Sequence, residues 1–179
     1  MTGPRRIKTN MRIVFCLLLS LLMAGCVTPH TTHHQASVKL NEFRRINLIV
    51  TDAVGSSYSK ESLPLFEGLL RGKLQSNGYT LVATNAELSL HVAITACDAG
   101  NRTLRTLIGF GAGRAVLKFT ASFKDSEGQL LAEFEGGKSY HGVELVDNPT
   151  FKSDESTNLG LISYSISQIG NFLEKNGEL

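Results

Sequence analysis

The chain has 179 residues, 42% of them hydrophobic, with 18 Lys and Arg against 16 Asp and Glu and a formal net charge of +2. That length suits one domain with a substantial core, and so balanced a charge excludes the basic stripe of a nucleic-acid binder. Three cysteines exclude a disulfide framework.

Residues 11–26 read Met-Arg-Ile-Val-Phe-Cys-Leu-Leu-Leu-Ser-Leu-Leu-Met-Ala-Gly-Cys, behind Arg5, Arg6 and Lys8 and with no acidic residue before Glu42. The apolar run 13–24 is 12 residues long, against the ~20 that a membrane-crossing helix needs. A cationic start, a short apolar run and small residues resemble a secretory signal. Leu22-Met23-Ala24-Gly25-Cys26 further resembles the lipobox of a bacterial lipoprotein, in which Cys26 is lipidated and becomes the first mature residue. Val27 is not the aspartate that marks inner-membrane retention, so the expected address is the outer membrane, facing the periplasm. Met11 is an alternative start. Removing residues 1–25 leaves 14 cationic against 16 acidic side chains, a net −2.

Residues 26–41 are polar, rich in Thr and His and without period, as expected of a flexible tether. His30, His33 and His34 have no cysteine or carboxylate beside them, so no metal site is expected. The folded domain is expected over 42–179. Ile46 to Val50 reads as a buried first strand. Residues 59–76 place Leu63, Phe66, Leu70 and Leu74 on one helical face with Leu69 beside it, Pro64 in the first turn and Gly78 as the stop. Tyr79-Thr80-Leu81-Val82 is a second strand. Leu88, Leu90, Val92 and Ile94 alternate with polar or small residues as a half-exposed third. Cys97 ends this run and is expected to be a buried, inert thiol.

The next two strands form a hairpin. Ala115, Leu117, Phe119, Ala121 and Phe123 alternate with Val116, Lys118, Thr120, Ser122 and Lys124, and after a turn at Glu127-Gly128 Leu130, Ala132 and Phe134 alternate with Leu131, Glu133 and Glu135. Folding there sets Phe123 against Ala132 and Ala121 against Phe134, with the apolar sets on one face. A looser segment is expected over 136–154, then a helix carrying Leu159, Ile162, Ile166, Ile169 and Leu173, with Phe172 alongside. This order predicts an α+β two-layer sandwich: a mostly antiparallel mixed sheet of about five strands with two helices on one face.

The stretch Leu-Ile-Gly-Phe-Gly-Ala-Gly-Arg-Ala-Val-Leu-Lys-Phe, leading into Phe-Lys-Asp-Ser-Glu-Gly, resembles the bacterial domain-of-unknown-function 4410 family. Arg105, Gly109, Gly111, Gly113, Asp125 and Gly128 carry the resemblance, which extends over about residues 40–173. It implies a small periplasmic lipoprotein module and supplies no catalytic residue.

Gly109, Gly111, Gly113 and Gly128 are read as structural glycines. The first three open a strand and lack the Gly-x-Gly-x-x-Gly or Gly-Lys-Ser/Thr spacing of a nucleotide loop. Arg102, Arg105 and Arg114 flank them and are candidate contacts for an anion or a partner's carboxylate. Glu133 and Glu135 share a strand face at the ~7 Å separation of an inverting glycosidase pair, and cross-strand pairing with Lys124 and Lys118 offers the structural explanation. Asp52, Ser56, Ser57, His91 and His141 are the ingredients of a hydrolase triad, without its Gly-x-Ser-x-Gly turn. The expectation is a non-enzymatic envelope lipoprotein without cofactor or metal, held to the membrane by lipid on Cys26 and binding an envelope protein or itself. A binder of peptidoglycan or a small anion comes second, and a cell-wall hydrolase third.

Overall fold

A computed structural model describes residues 33–34, 39–101, 103–104, 113–140 and 154–175. Strands β1 (His33–His34), β2 (Arg45–Asp52), β3 (Thr80–Leu81), β4 (Leu88–Asp98), β5 (Ala115–Asp125) and β6 (Leu130–Tyr140) form one sheet in the order β1-β6-β5-β4-β2-β3. Helices α1 (Ser57–Ser76) and α2 (Asp154–Glu174) back it. The pairs β1–β6, β6–β5 and β5–β4 are antiparallel, whereas β2 lies parallel to both β3 and β4. The expected two-layer α+β class, with a mixed sheet and two helices, is the one observed.

Period-two alternation sets the core face. Leu88, Leu90, Val92 and Ile94 of β4, Leu117, Phe119, Ala121 and Phe123 of β5, and Ala132 and Phe134 of β6 are buried. The hairpin register pairs Phe123 with Ala132 and Ala121 with Phe134, as the alternation requires, but Leu130, expected on the same face, is 52% exposed, because the register shifts between Phe123 and Lys124. The turn is held by Asp125, whose side-chain oxygen accepts the N–H groups of Glu127 and Gln129 at 2.9 and 2.8 Å, while Gly128 takes φ +83°.

Helix α1 is capped by Ser56, whose hydroxyl oxygen accepts the Ser59 N–H at 3.0 Å. Phe66, Leu70 and Leu74 face the core. Helix α2 lies beside α1 and parallel to it. Asn158 near its start donates to Ser62, and Glu174 at its end accepts from Asn77, just past α1.

Several local expectations need correction. Strand β2 is not buried through its length: Ile46 and Leu48 face the core, but Ile49 is 44% exposed, because among the described residues only one face of the sheet is covered. Pro64 lies inside α1, beyond its first turn; with no N–H to give, it removes one helical hydrogen bond. The closing helix buries Leu161, while Leu159 is 39% exposed. Strand β6 continues through Gly136 and Gly137 to Tyr140, into the segment expected to be loose. Leu40, assigned to the tether, is fully buried in a 3-10 turn. His33 and His34, also assigned to the tether, pair with Phe134 and Glu133.

Glu87 fixes the start of the sheet. One carboxylate oxygen accepts the N–H groups of Arg44 and Arg45 at 2.8 and 3.1 Å, and the other accepts from the Arg45 guanidinium at 3.2 Å. The Arg44 and Arg45 amides, followed by that guanidinium, hold the Glu87 carboxyl below its ordinary value of 4.5. A depressed folded-state pKa contributes stability that is fully present above the unfolded-state value and is lost as pH falls through the folded one. Urea midpoints should therefore drop below about pH 4.5, and Glu87→Gln should flatten that drop in a titration series. An unchanged acid slope would remove Glu87 from this role.

Candidate functional site

Three places on the domain concentrate polar chemistry. The first lies where β4 gives way to β5. Asp98 accepts the Gly100 N–H at 2.8 Å, the Asn101 side chain accepts the Leu104 N–H at 3.0 Å, and the Asn101 N–H donates to the Gly113 carbonyl at 2.9 Å. The two strand ends are thus clasped at the base of the glycine–arginine stretch. Gly100 takes φ +68°, and a Cβ there would stand 2.3 Å from the Gly113 carbonyl oxygen. Gly113 takes φ +66°, and Arg114 beside it is exposed. Arg102, Arg105, Gly109 and Gly111 lie outside the described residues, as does Cys26. A close backbone approach that only glycine allows is made by Gly100, which was not among the expected structural glycines. Its signal is the Gly-Asn pair directly after a strand.

The second place is the turn from β2 into α1. Asp52 accepts the Val54 and Gly55 N–H groups at 2.9 and 3.0 Å, and the buried Ser59 hydroxyl donates to its other oxygen at 2.7 Å. The Gly55 amide, then the Ser59 hydroxyl, hold the Asp52 carboxyl below its ordinary range. Further along, the Asn158 amide donates to Ser62 at 3.1 Å. Burial pushes the free Cys97 thiol up, against the pull of a hydrogen bond with Ser62. A protonated, buried thiol is a poor nucleophile, in keeping with the inert reading.

The triad ingredients are not brought together here. His91 projects from the opposite face of the sheet, with Nε2 3.2 Å from the Thr51 hydroxyl; Ser57 is exposed at the helix start; His141 lies outside the described residues. Asp52 and Ser59 cap and seat α1.

The third place is the face of the sheet opposite the two helices. Cross-strand register aligns His91, Ser122 and Glu133 in one row over β4, β5 and β6. Glu133 accepts the Ser122 hydroxyl at 2.6 Å. Glu135 follows two residues on, opposite Thr120. The expected charge pairing with Lys118 and Lys124 is not made. Among the described residues the ion pairs are Lys39–Glu42, Arg45–Glu87 and Arg71–Glu67. The hydroxyl directly opposite satisfies Glu133 more cheaply than a diagonal lysine, whose long side chain would lose rotamer freedom.

Elsewhere, an open groove of about 540 Å³ is lined by Asn41, Glu42, Arg44, Asn77, Tyr79 and Glu174. Among the described residues no three His, Cys, Asp or Glu side chains are placed to share a metal ion, and no helix is long and apolar enough to cross a membrane.

These features define a small α+β domain: a mixed sheet backed on one face by two parallel helices. Residues 57–143 match the model of a family described as "Domain of unknown function (DUF4410)", which supports placing the domain in that family. No curated protein sequence matches the chain. Among solved structures, a variant PelC dodecamer from Paraburkholderia phytofirmans is similar at 12% identity and TM-score 0.50, over 80% of this chain and 98% of that one. A PDZ domain protein from Parabacteroides distasonis is also similar, at 12% identity and TM-score 0.42, over 78% of this chain and 35% of that one.

Proposed function

We propose that the protein is a lipid-anchored lipoprotein of a bacterial outer membrane, facing the periplasm, whose domain binds a partner protein or further copies of itself and performs no chemistry. The observation that carries this reading is the lipobox-like run ending at Cys26, set ahead of a compact domain by a short polar stretch. Three acyl chains hold far more firmly than the marginal single chain. Replacing Cys26 with serine should abolish incorporation of labelled fatty acid into the protein, read by autoradiography of the immunoprecipitate. Labelling of the serine variant at the wild-type level would oppose the anchor. In the same cells, amine crosslinking should trap the wild-type protein on a protein partner or on itself, and a chain that stays uncrosslinked would oppose the binding role.

Self-binding has further support. The solved structure of similar fold is a dodecamer, so assembly is compatible with this architecture. Helix α1 also exposes Leu65 and Leu69, each 40% accessible, together with Gly68 and Gly72, where an added Cβ would meet nothing within 4 Å. A glycine in a helix interior costs about 1 kcal/mol relative to alanine, and the domain's own packing gives no reason for either one. Gly68→Ala and Gly72→Ala should each raise the stability of the isolated domain by about 1 kcal/mol in urea. Where a second copy packs on this face, the same methyl groups should weaken self-association in light scattering.

A second reading, binding of peptidoglycan or a small anion, draws on exposed Arg114 beside the clasped glycines. It requires sedimentation with purified peptidoglycan that Arg105→Glu with Arg114→Glu abolishes. A wall hydrolase would instead release soluble fragments and lose that activity in Glu133→Gln.

A further inference from the structure

Strand β1 gives the chain a direction where it first meets the domain. It pairs antiparallel with β6, His33 opposite Phe134 and His34 opposite Glu133. The chain therefore reaches His33 from the end of β6 marked by Tyr140. Six residues, 27–32, separate Cys26 from His33, so the seven steps between them reach at most ~25 Å. The run of β6 from Phe134 to Tyr140 takes up ~20 Å of that reach. An approach from the opposite end would require a reversal within the same short length.

The strand register defines what stands at that end. Tyr140 pairs with Ala115 and Val116 with Asp98, so β6 and β4 finish where β5 begins. The turn from β2 into α1 lies on the same side, its Ala53 N–H donating to the Ile94 carbonyl at 3.0 Å. Two aliphatic side chains are exposed on these connections, Val54 at 38% and Leu104 at 40%, and Arg114 is exposed at the start of β5. The carboxylates there are engaged by backbone: Asp52 accepts the Val54 and Gly55 N–H groups, and Asp98 accepts that of Gly100. The far end differs. Glu42 before β2, Glu127 in the hairpin turn and Glu174 at the close of α2 are all exposed. Aliphatic tips and a guanidinium suit the boundary of a bilayer, where apolar atoms leave water and phosphate accepts hydrogen bonds. Exposed carboxylates are repelled by anionic headgroups.

We propose that this end of the domain is a membrane-contact surface, with Val54, Leu104 and Arg114 set against phospholipid headgroups and the end carrying Glu42, Glu127 and Glu174 turned away. The inference rests on the lipid-anchored reading above and names the surface that the anchor brings to the bilayer. The groove beside Tyr79 and Glu174 then opens away from the membrane, within reach of a soluble partner.

The test uses full-length, lipidated protein in vesicles of phosphatidylethanolamine and phosphatidylglycerol whose headgroups carry a nitroxide quencher. A fluorophore is attached to Val54→Cys, to Leu104→Cys or, at the far end, to Leu130→Cys, a position 52% exposed beside the hairpin turn. The buried Cys97 does not compete for the label. With ~36 Å between the ends of an 11-residue strand, the nitroxide should remove about half of the emission at positions 54 and 104 and almost none at 130. Equal loss at the two ends, loss at neither, or the reverse order, in protein that floats with the vesicles, would overturn the proposal and leave the anchor standing. Protein that does not float with the vesicles removes the anchor, and the membrane contact with it.

Discussion

Phe134→Ala should cost the domain about 3–5 kcal/mol, a large part of the 5–15 kcal/mol that holds a typical domain folded. Phe134 is fully buried on β6 and meets three other rings. Its ring centroid lies 4.3 Å from that of Phe172 on α2, 5.5 Å from Phe119 and 6.3 Å from Phe123 on β5. The contact with Phe119 is edge-on at 85°, and the other two are stacked. Truncation opens a cavity at the point where the hairpin and the closing helix join, and stacked neighbours cannot collapse into it without leaving their rotamers. Urea denaturation of the purified domain should show a lower midpoint with an unchanged slope. Phe134→Leu, which keeps most of the volume, should cost clearly less. Equal losses for the two variants would mean that the ring cluster is not what closes the core.

Gly137→Ala should be nearly as damaging, at about 3 kcal/mol from backbone strain and overpacking together. Gly137 takes φ +136°, and a Cβ there would stand 2.2 Å from the Leu117 carbonyl oxygen and 2.7 Å from the Lys118 Cα. Both are backbone atoms of β5, so relief requires breaking the ladder. The Gly137 N–H also donates to the Gln168 side chain of α2 at 2.8 Å, tying this irregular point to the helix layer. Gly128→Ala gives the comparison. Its φ of +83° is also unfavourable to alanine, but nothing lies within 4 Å of the added atom. The cost there should be the conformational 1–2 kcal/mol alone, roughly. Thermal or urea unfolding of the two variants checks the order, and a larger loss at Gly128 would contradict it.

The parts of the fold that could be read from sequence were those in which side-chain period alone decides the outcome. Strand β5, and β4 as far as Ile94, alternate without interruption, so their core residues and the pairing of Phe123 with Ala132 follow from a period of two. The helix stripe Phe66, Leu70, Leu74 follows from 3.6 in the same way. Reading failed where the third dimension intervened. Ile46 to Val50 is too short a run to distinguish a strand buried on both faces from one with a bare side, and the choice depends on how many helix layers exist. Gly136 and Gly137 read as loop because glycine opposes strand structure locally. In the fold they sit where Phe119 and the β5 backbone leave no room for a side chain. Leu159 and Leu161 lie two apart at the start of α2, and which of them faces inward is set by how the helix docks on the sheet.

The candidate site was less legible. Arg114, Gly113, Glu133 and Glu135 were picked out by type and spacing. That Ser122 takes the Glu133 carboxylate was not, because a serine on a wet strand face carries no mark of its partner. Gly100 and the Asp52–Ser59 contact depend on approaches between residues that only folding brings together. The pairing of His33 and His34 with β6 was hidden for the same reason: two histidines in a polar, aperiodic stretch show neither strand period nor strand composition.

The intact mass of the protein extracted from bacterial membranes bears most directly on the central proposal. A lipid-anchored module predicts a single species of residues 26–179, carrying a diacylglyceryl thioether on Cys26 and a third acyl chain on its new α-amine. A chain that keeps residues 1–25, or one cut near Cys26 but free of lipid, would contradict the anchor on which the proposed function stands.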